Sequence, residues 1–282
     1  MLYRGFIISV ALVAALGITV ADARASDDPR YPSWSGGWTR ERGDSKGGNW
    51  DADKPRGLGQ QAPLTPEYQA RYAASLNDQE HGGQGVNPGY TCHPHGMPRI
   101  MNGNHPLFFA ITPEATYIMR DIANQFRRIY TDGRDWPAHL QHTSNGYSIG
   151  HWLEQDGAGR FGTLVVETRG LKNPHSYDSS GIPFHDDDAA VIKERIFLDR
   201  SNPELMRDEV TTIDDALTRP WTVTRSYRHV RDPKWVEYFC AEDNHHLVLG
   251  KEDYLMSEDG FIMPTRKEQS PPDLRNFGEP RP

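Results

Sequence analysis

From residue 107 onward, apolar and polar positions alternate in short runs. Residues 107–112, 116–120, 125–130, 147–153, 162–169, 189–198, 205–213, 221–229 and 234–240 each carry a period of two, the repeat of a strand with two different faces. Turn-forming stretches separate them, among them Pro113-Glu114, Ile122-Ala123-Asn124 and Asp156-Gly157-Ala158-Gly159. Most of the links are short, which makes neighbouring strands antiparallel. No βαβ pattern calls for a parallel sheet. The expected fold is therefore mainly β: an antiparallel up-and-down barrel of the lipocalin-like kind, with a β-sandwich as the alternative. Closure leaves no exposed sheet edge.

The faces of these strands are mixed. Along 221–229 one face carries Trp221, Val223, Arg225, Tyr227 and His229. Along 191–198 Ile192, Glu194, Ile196 and Leu198 alternate with Val191, Lys193, Arg195 and Phe197. Along 205–213 Met206, Asp208, Val210 and Thr212 alternate with Leu205, Arg207, Glu209, Thr211 and Ile213. A barrel packed only with hydrocarbon would alternate more cleanly. Mixed faces suit a lumen lined by polar groups among aromatics. They equally suit ion pairs on a solvated outer face.

Ahead of the barrel the pattern divides. Residues 1–25 read as a signal peptide, with Arg4, an apolar run and small residues at 21–25. Residues 26–62 form a Gly- and Trp-rich extended arm whose tryptophans dock on the body. Residues 63–106 hold a short helix near 64–76 and a loop. Thr65 is the expected N-cap, Pro66 opens the helix, and Tyr68, Tyr72 and Leu76 share a face. The body is placed at 107–250 and a Pro-rich tail at 251–282.

The chain has 282 residues and a net charge of −8. An acidic chain repels phosphate backbones, so no nucleic-acid partner is expected. No segment after residue 25 is apolar enough to anchor in a bilayer. The expected location is periplasmic or secreted. The two cysteines, Cys92 and Cys240, fit one disulfide in an oxidising compartment.

Twelve histidines raise the question of metal. His93 and His95 sit two apart, and His139 and His142 sit near one another, but no His-Glu-x-x-His or Cys/His array accompanies them. A divalent metal stays open as an alternative; no nucleotide or flavin cofactor is expected. Ser148 lies within a strand pattern and lacks a nucleophile elbow. His185 precedes Asp186-Asp187-Asp188 at the end of a long loop, where a carboxylate would raise and orient the imidazole.

Several segments carry a resemblance: Cys92-His93-Pro94-His95-Gly96-Met97-Pro98-Arg99, Arg127-Arg128-Ile129-Tyr130-Thr131-Asp132-Gly133-Arg134, Tyr147-Ser148-Ile149-Gly150-His151-Trp152, Gly162-Thr163-Leu164-Val165-Val166-Glu167-Thr168, Thr218-Arg219-Pro220-Trp221 and Tyr238-Phe239-Cys240-Ala241-Glu242. The chain resembles a widespread, largely uncharacterised family of exported bacterial proteins, a likeness that implies export but no reaction. His185 and Glu194-Arg195 share the likeness, and within these segments Arg99, Arg128, Arg134 and Arg195 would each need a carboxylate or an anionic ligand if turned inward. Glu167, Glu194, Glu209 and Glu242 are the carboxylates at hand.

These patterns point to an exported enzyme performing cofactor-independent acid/base chemistry on a small aromatic or carbonyl-bearing molecule in a barrel lumen. Isomerisation, elimination and hydrolysis are the reaction classes. His185 is the expected base and Asp186 its orienting partner. Tyr130 or Tyr227 is the proton donor, and Arg128 or Arg195 faces the developing oxyanion. The alternatives are a non-catalytic periplasmic carrier, a His-ligated metal-dependent lyase or hydrolase, and an envelope-interaction protein.

Overall fold

A computed structural model of the chain describes residues 28–41, 62–103, 105–122, 125–238, 240, 245–250, 252–257, 259–266 and 268–275. The segment expected to be a signal peptide, the arm residue Trp50, and Ala241 and Glu242 lie outside these residues. Alternation builds the expected barrel. Nine strands close in sequence order: β1 (Gly37–Arg40), β2 (Leu107–Ile111), β3 (Ala115–Arg120), β4 (Gln125–Tyr130), β5 (Tyr147–Glu154), β6 (Phe161–Arg169), β7 (Val191–Asp199), β8 (Asn202–Ile213) and β9 (Trp221–Val230).

Two features depart from the pattern reading. The ninth strand is not 234–240, which is irregular among its described residues. It is β1, contributed by the arm. Gly37 to Arg40 pair with Val230 to Tyr227 on one side, and Gly37 and Trp38 pair with Phe108 and Leu107 on the other. The other departure is at the β4/β5 seam, which is parallel, with Ile129 opposite Ser148 and Tyr130 opposite Ile149. The connection 131–146 is long enough for the return crossing that parallel strands require, so the barrel is mixed.

The helix α1 spans Pro66–Glu80, and the Thr65 hydroxyl accepts from the Tyr68 amide at 3.5 Å. It buries Tyr68 and Tyr72, and the Tyr72 hydroxyl meets Ser180 Oγ at 2.8 Å. That contact ties the helix to the loop between β6 and β7. Trp34 and Trp38 of the arm are buried, as expected of its tryptophans. A separate sheet follows the barrel: β10 (His246–Leu249), β11 (Glu252–Met256) and β12 (Ile262–Pro264). Cys92 and Cys240 form a disulfide. No helix among the described residues is long and apolar enough to cross a membrane.

The barrel is not lined by strands alone. Residues 97–102 lie against its inner wall, with Met97, Ile100 and Met101 fully buried. Their backbone carbonyls are taken up by inward side chains. Arg225 Nη1 donates to Pro98 O at 3.3 Å, Arg120 Nη1 to Ile100 O at 2.9 Å, and the Tyr227 hydroxyl to Met101 O at 2.6 Å. Arg40 Nη1 donates to Asn102. Each of these satisfies a carbonyl that burial would otherwise leave costly. The segment ends where Gly103 passes the Arg120 guanidinium, 1.3 Å from where a Cβ would stand, so a side chain there would push the guanidinium out of its place.

Candidate active site

The inward faces resolve the mixed pattern. On β7 the buried residues are Ile192, Glu194 and Ile196; on β8 they include Met206, Asp208, Val210 and Thr212; on β9 they include Trp221, Val223, Arg225 and Tyr227. Each face is apolar apart from a few polar groups. β4 adds Arg127, β5 Ser148 and β6 Thr168, all buried. Together they make a polar belt around the interior.

One half of the belt is saturated. Arg127 Nη1 donates to Glu194 Oε1 at 2.9 Å and Nη2 to Glu194 Oε2, a bidentate pair across the bore. The same guanidinium reaches Ser148 Oγ at 3.2 Å and Thr168 Oγ1 at 2.9 Å, and those two hydroxyls meet at 2.8 Å. Every polar atom here is answered, which is what a buried ion pair needs to be tolerated.

The other half is not. Asp208 and Arg225 stand directly opposite each other on β8 and β9. Neither oxygen of Asp208 has a hydrogen-bond partner within the protein, nor do Nε and Nη2 of Arg225. Burial, reinforced by the nearby Glu194 charge, pushes the Asp208 carboxyl well above the usual carboxylate range, against the pull of Arg225 and Arg127. Arg225 stays charged, as a guanidinium does.

Against Arg225 sits Tyr177 of the β6–β7 loop. Its ring lies 5.3 Å from the Arg225 guanidinium carbon and 4.4 Å from the Trp221 ring, with Phe184 at 6.3 Å. Its hydroxyl has no partner within the protein, and burial pushes its pKa up to about 12. Asp178 beside it is also raised by burial, although Oδ1 accepts from Ser180 N at 2.8 Å and Ser180 Oγ at 2.6 Å.

The residues singled out from the sequence fall in several places. Tyr227 is in the interior, its hydroxyl committed to Met101 O. His185 is at the surface. It pairs with Asp187 at 3.0 Å, while Asp186 pairs with Arg71 at 2.8 Å. Burial opposes a charge on His185, but the Asp187 hydrogen bond and the charges of Asp187, Asp214 and Asp215 together outweigh it and raise its pKa.

Arg128 and Tyr130 lie on the outside near the parallel seam. Arg128 is exposed and bonds Tyr130 Oη at 3.3 Å, and the Tyr130 ring stacks on Tyr147 at 5.0 Å. Arg134 covers the Tyr130 ring at 3.7 Å and pairs with Asp132. Arg195 is exposed and pairs with Glu209 at 3.2 Å. The structure therefore does not bring His185, Tyr130, Arg128 and Arg195 together with Tyr227. Of Arg128, Arg195 and Arg225, only Arg225 is buried in the interior.

His93, His139 and His142 are exposed. His142 Nδ1 lies 3.8 Å from Asp188. His95 is lowered to about 3 by burial, helped by Arg99 and Arg120. Among the described residues no three His, Cys, Asp or Glu side chains gather as metal ligands do. Arg99 is buried and donates to Asn87 Oδ1 at 2.6 Å and Ser176 Oγ at 3.3 Å.

Asp208, Arg225 and Tyr177 were not among the residues expected to act. For two of them the signal was in the pattern: Asp208 between Met206 and Val210, and Arg225 between Val223 and Tyr227, each a charge on an otherwise mostly apolar alternate set. Tyr177 sits in a loop whose return into the barrel no local pattern announces. No protein-family model matches the chain, and no curated protein matches it.

Proposed function

We propose that this protein is an exported enzyme performing cofactor-independent acid/base chemistry on a small carbonyl-bearing molecule, with Asp208, Tyr177 and Glu194 as the reacting groups. The observation carrying this reading is the buried Asp208 carboxyl, its pKa pushed upward by burial and both oxygens without a partner within the protein, together with a second unpartnered group, the Tyr177 hydroxyl, over the neighbouring Arg225. A carboxyl kept neutral in an apolar setting donates a hydrogen bond to a developing oxyanion, and a phenol does the same. Glu194 occupies the inward face of the neighbouring strand, diagonal to Asp208 and two residues along from its partner Ile196, as the carboxylate of the Arg127 pair. A lone pair that Arg127 leaves open on Glu194 takes the proton from the carbon next to the carbonyl, and the enolate oxygen rests on Asp208 and Tyr177; return of a proton to the same carbon gives exchange with solvent, and delivery to the oxygen or to a conjugated carbon gives the isomer.

A passive carrier would have few interior polar groups, all satisfied and ordinary in pKa. Here several are unsatisfied and one is strongly shifted, which favours the enzyme. Export is supported by the disulfide and by the apolar run at the N-terminus.

The test is proton–deuterium exchange next to the carbonyl of phenylpyruvate, its methyl ester and phenylacetaldehyde, followed by NMR with purified protein. Exchange of at least one compound above the buffer rate is expected. Asp208→Leu should reduce it by about 10²-fold or more. No acceleration of any of the three, with the protein folded, overturns the reading.

A further inference from the structure

The guanidinium of Arg225 is divided between two tasks. Nη1 holds the Pro98 carbonyl at 3.3 Å. Nε and Nη2, which make up the opposite, side-on edge, have no partner within the protein although the residue is only 2 % exposed. Two parallel N–H groups on one guanidinium edge match the two oxygens of a carboxylate. No interior carboxylate bonds to this edge: Glu194 is held bidentately by Arg127, and Asp178 accepts from Ser180 through Oδ1, its Oδ2 having no partner within the protein. Asp208, though directly across the ladder, makes no hydrogen bond to it.

We propose that Arg225 receives a carboxylate of the substrate along its Nε–Nη2 edge, so that the molecule taken into the barrel is a 2-oxo acid with an apolar or aromatic side chain. This rests on the acid/base reading given above and narrows its substrate. Side chains directly opposite on antiparallel strands start only about 5 Å apart. A carboxylate on Arg225 therefore brings the group bonded to it within reach of Asp208, which fits a ketone adjacent to the acid. The rings of Tyr177, Trp221 and Phe184 supply an aromatic wall for the remainder of the molecule.

The exchange experiment separates the two claims when phenylpyruvate and its methyl ester are compared. The acid should be processed at least ~10²-fold faster in kcat/KM, because a buried ionic donor left unpaired rejects the ligand lacking its partner. Arg225→Gln should abolish that preference, the rate of the acid falling by ~10²-fold relative to that of the ester in the same variant. If that variant does not fold, the acid-to-ester ratio of the unaltered protein decides alone. Equal rates for acid and ester, or faster ester exchange, overturn the carboxylate assignment and leave the acid/base reading standing. Exchange of neither compound nor of phenylacetaldehyde overturns the acid/base reading itself.

Discussion

Asp208 occupies a place where hydrocarbon would stabilise the barrel more. Its carboxyl is fully buried with both oxygens unanswered by the protein, which costs about 1–3 kcal/mol. Its raised folded pKa means that the folded state holds a proton the unfolded state gives up above its ordinary pKa. Its contribution to stability therefore falls as pH rises from about 4, until the folded pKa is passed. Asp208→Leu should accordingly be more stable than the parent, by more at pH 8 than at pH 4.5 in urea titrations, while losing activity. Such opposed effects are characteristic of a group retained for function.

His175 works in the other direction. It is buried against Phe184 at 4.2 Å, and burial lowers its pKa to about 4. The unfolded chain gains its proton near pH 6.5, so the stability of the neutral ring is complete above that value and is lost as pH falls toward 4. Between pH 7 and pH 5 the loss is at most ~2 kcal/mol. His175→Phe should flatten that part of the curve of unfolding free energy against pH. At this scale the sequence revealed which residues were unusual, since a charge within an apolar alternation stands out. Which way a face points depends on the partners across the bore, and that is why Arg128 and Arg195 looked as eligible as Arg225.

The strands with clear alternation, β2 to β9, were legible because a period of two sustained over five or more residues fits a two-faced strand and does not fit a helix. β1 was not. Gly37-Trp38-Thr39-Arg40 is short and lies in a Gly-rich arm, and it becomes a strand because β9 and β2 offer it ladders. The run 234–240 has suitable residues and no ladder to join. The fold of 97–102 was equally hidden, since its carbonyls are held by Arg40, Arg120, Arg225 and Tyr227 and its own side-chain pattern does not decide it. Removing one of those bonds, as in Tyr227→Phe, should cost about 1–2 kcal/mol by chemical denaturation. The disulfide closes a separation of 148 residues just before this segment. Replacing both cysteines with serine should lower the unfolding free energy by about 2–5 kcal/mol. An unchanged denaturation midpoint would show that the staple adds nothing to the barrel.

As a whole, the molecule is a mixed barrel closed by its own N-terminal arm, with charges on both sides of its wall. Outside, pairs such as Arg195–Glu209 and Arg71–Asp186 are solvated and contribute little. Inside, Arg127–Glu194 is fully enclosed, and Glu194→Ala should destabilise by about 3–5 kcal/mol by leaving Arg127 buried alone. Asp208 and the Nε–Nη2 edge of Arg225 differ from that pair in having no partner within the protein, and the functional account stands on that difference. It is tested most directly by following the side-chain carboxyl carbons of ¹³C-labelled aspartates by NMR from pH 3 to pH 9, with Asp208→Leu to assign the signal. The carbon of Asp208 should titrate with a midpoint well above that of an ordinary aspartate. A midpoint near 4, the value of an ordinary exposed aspartate, would contradict the account.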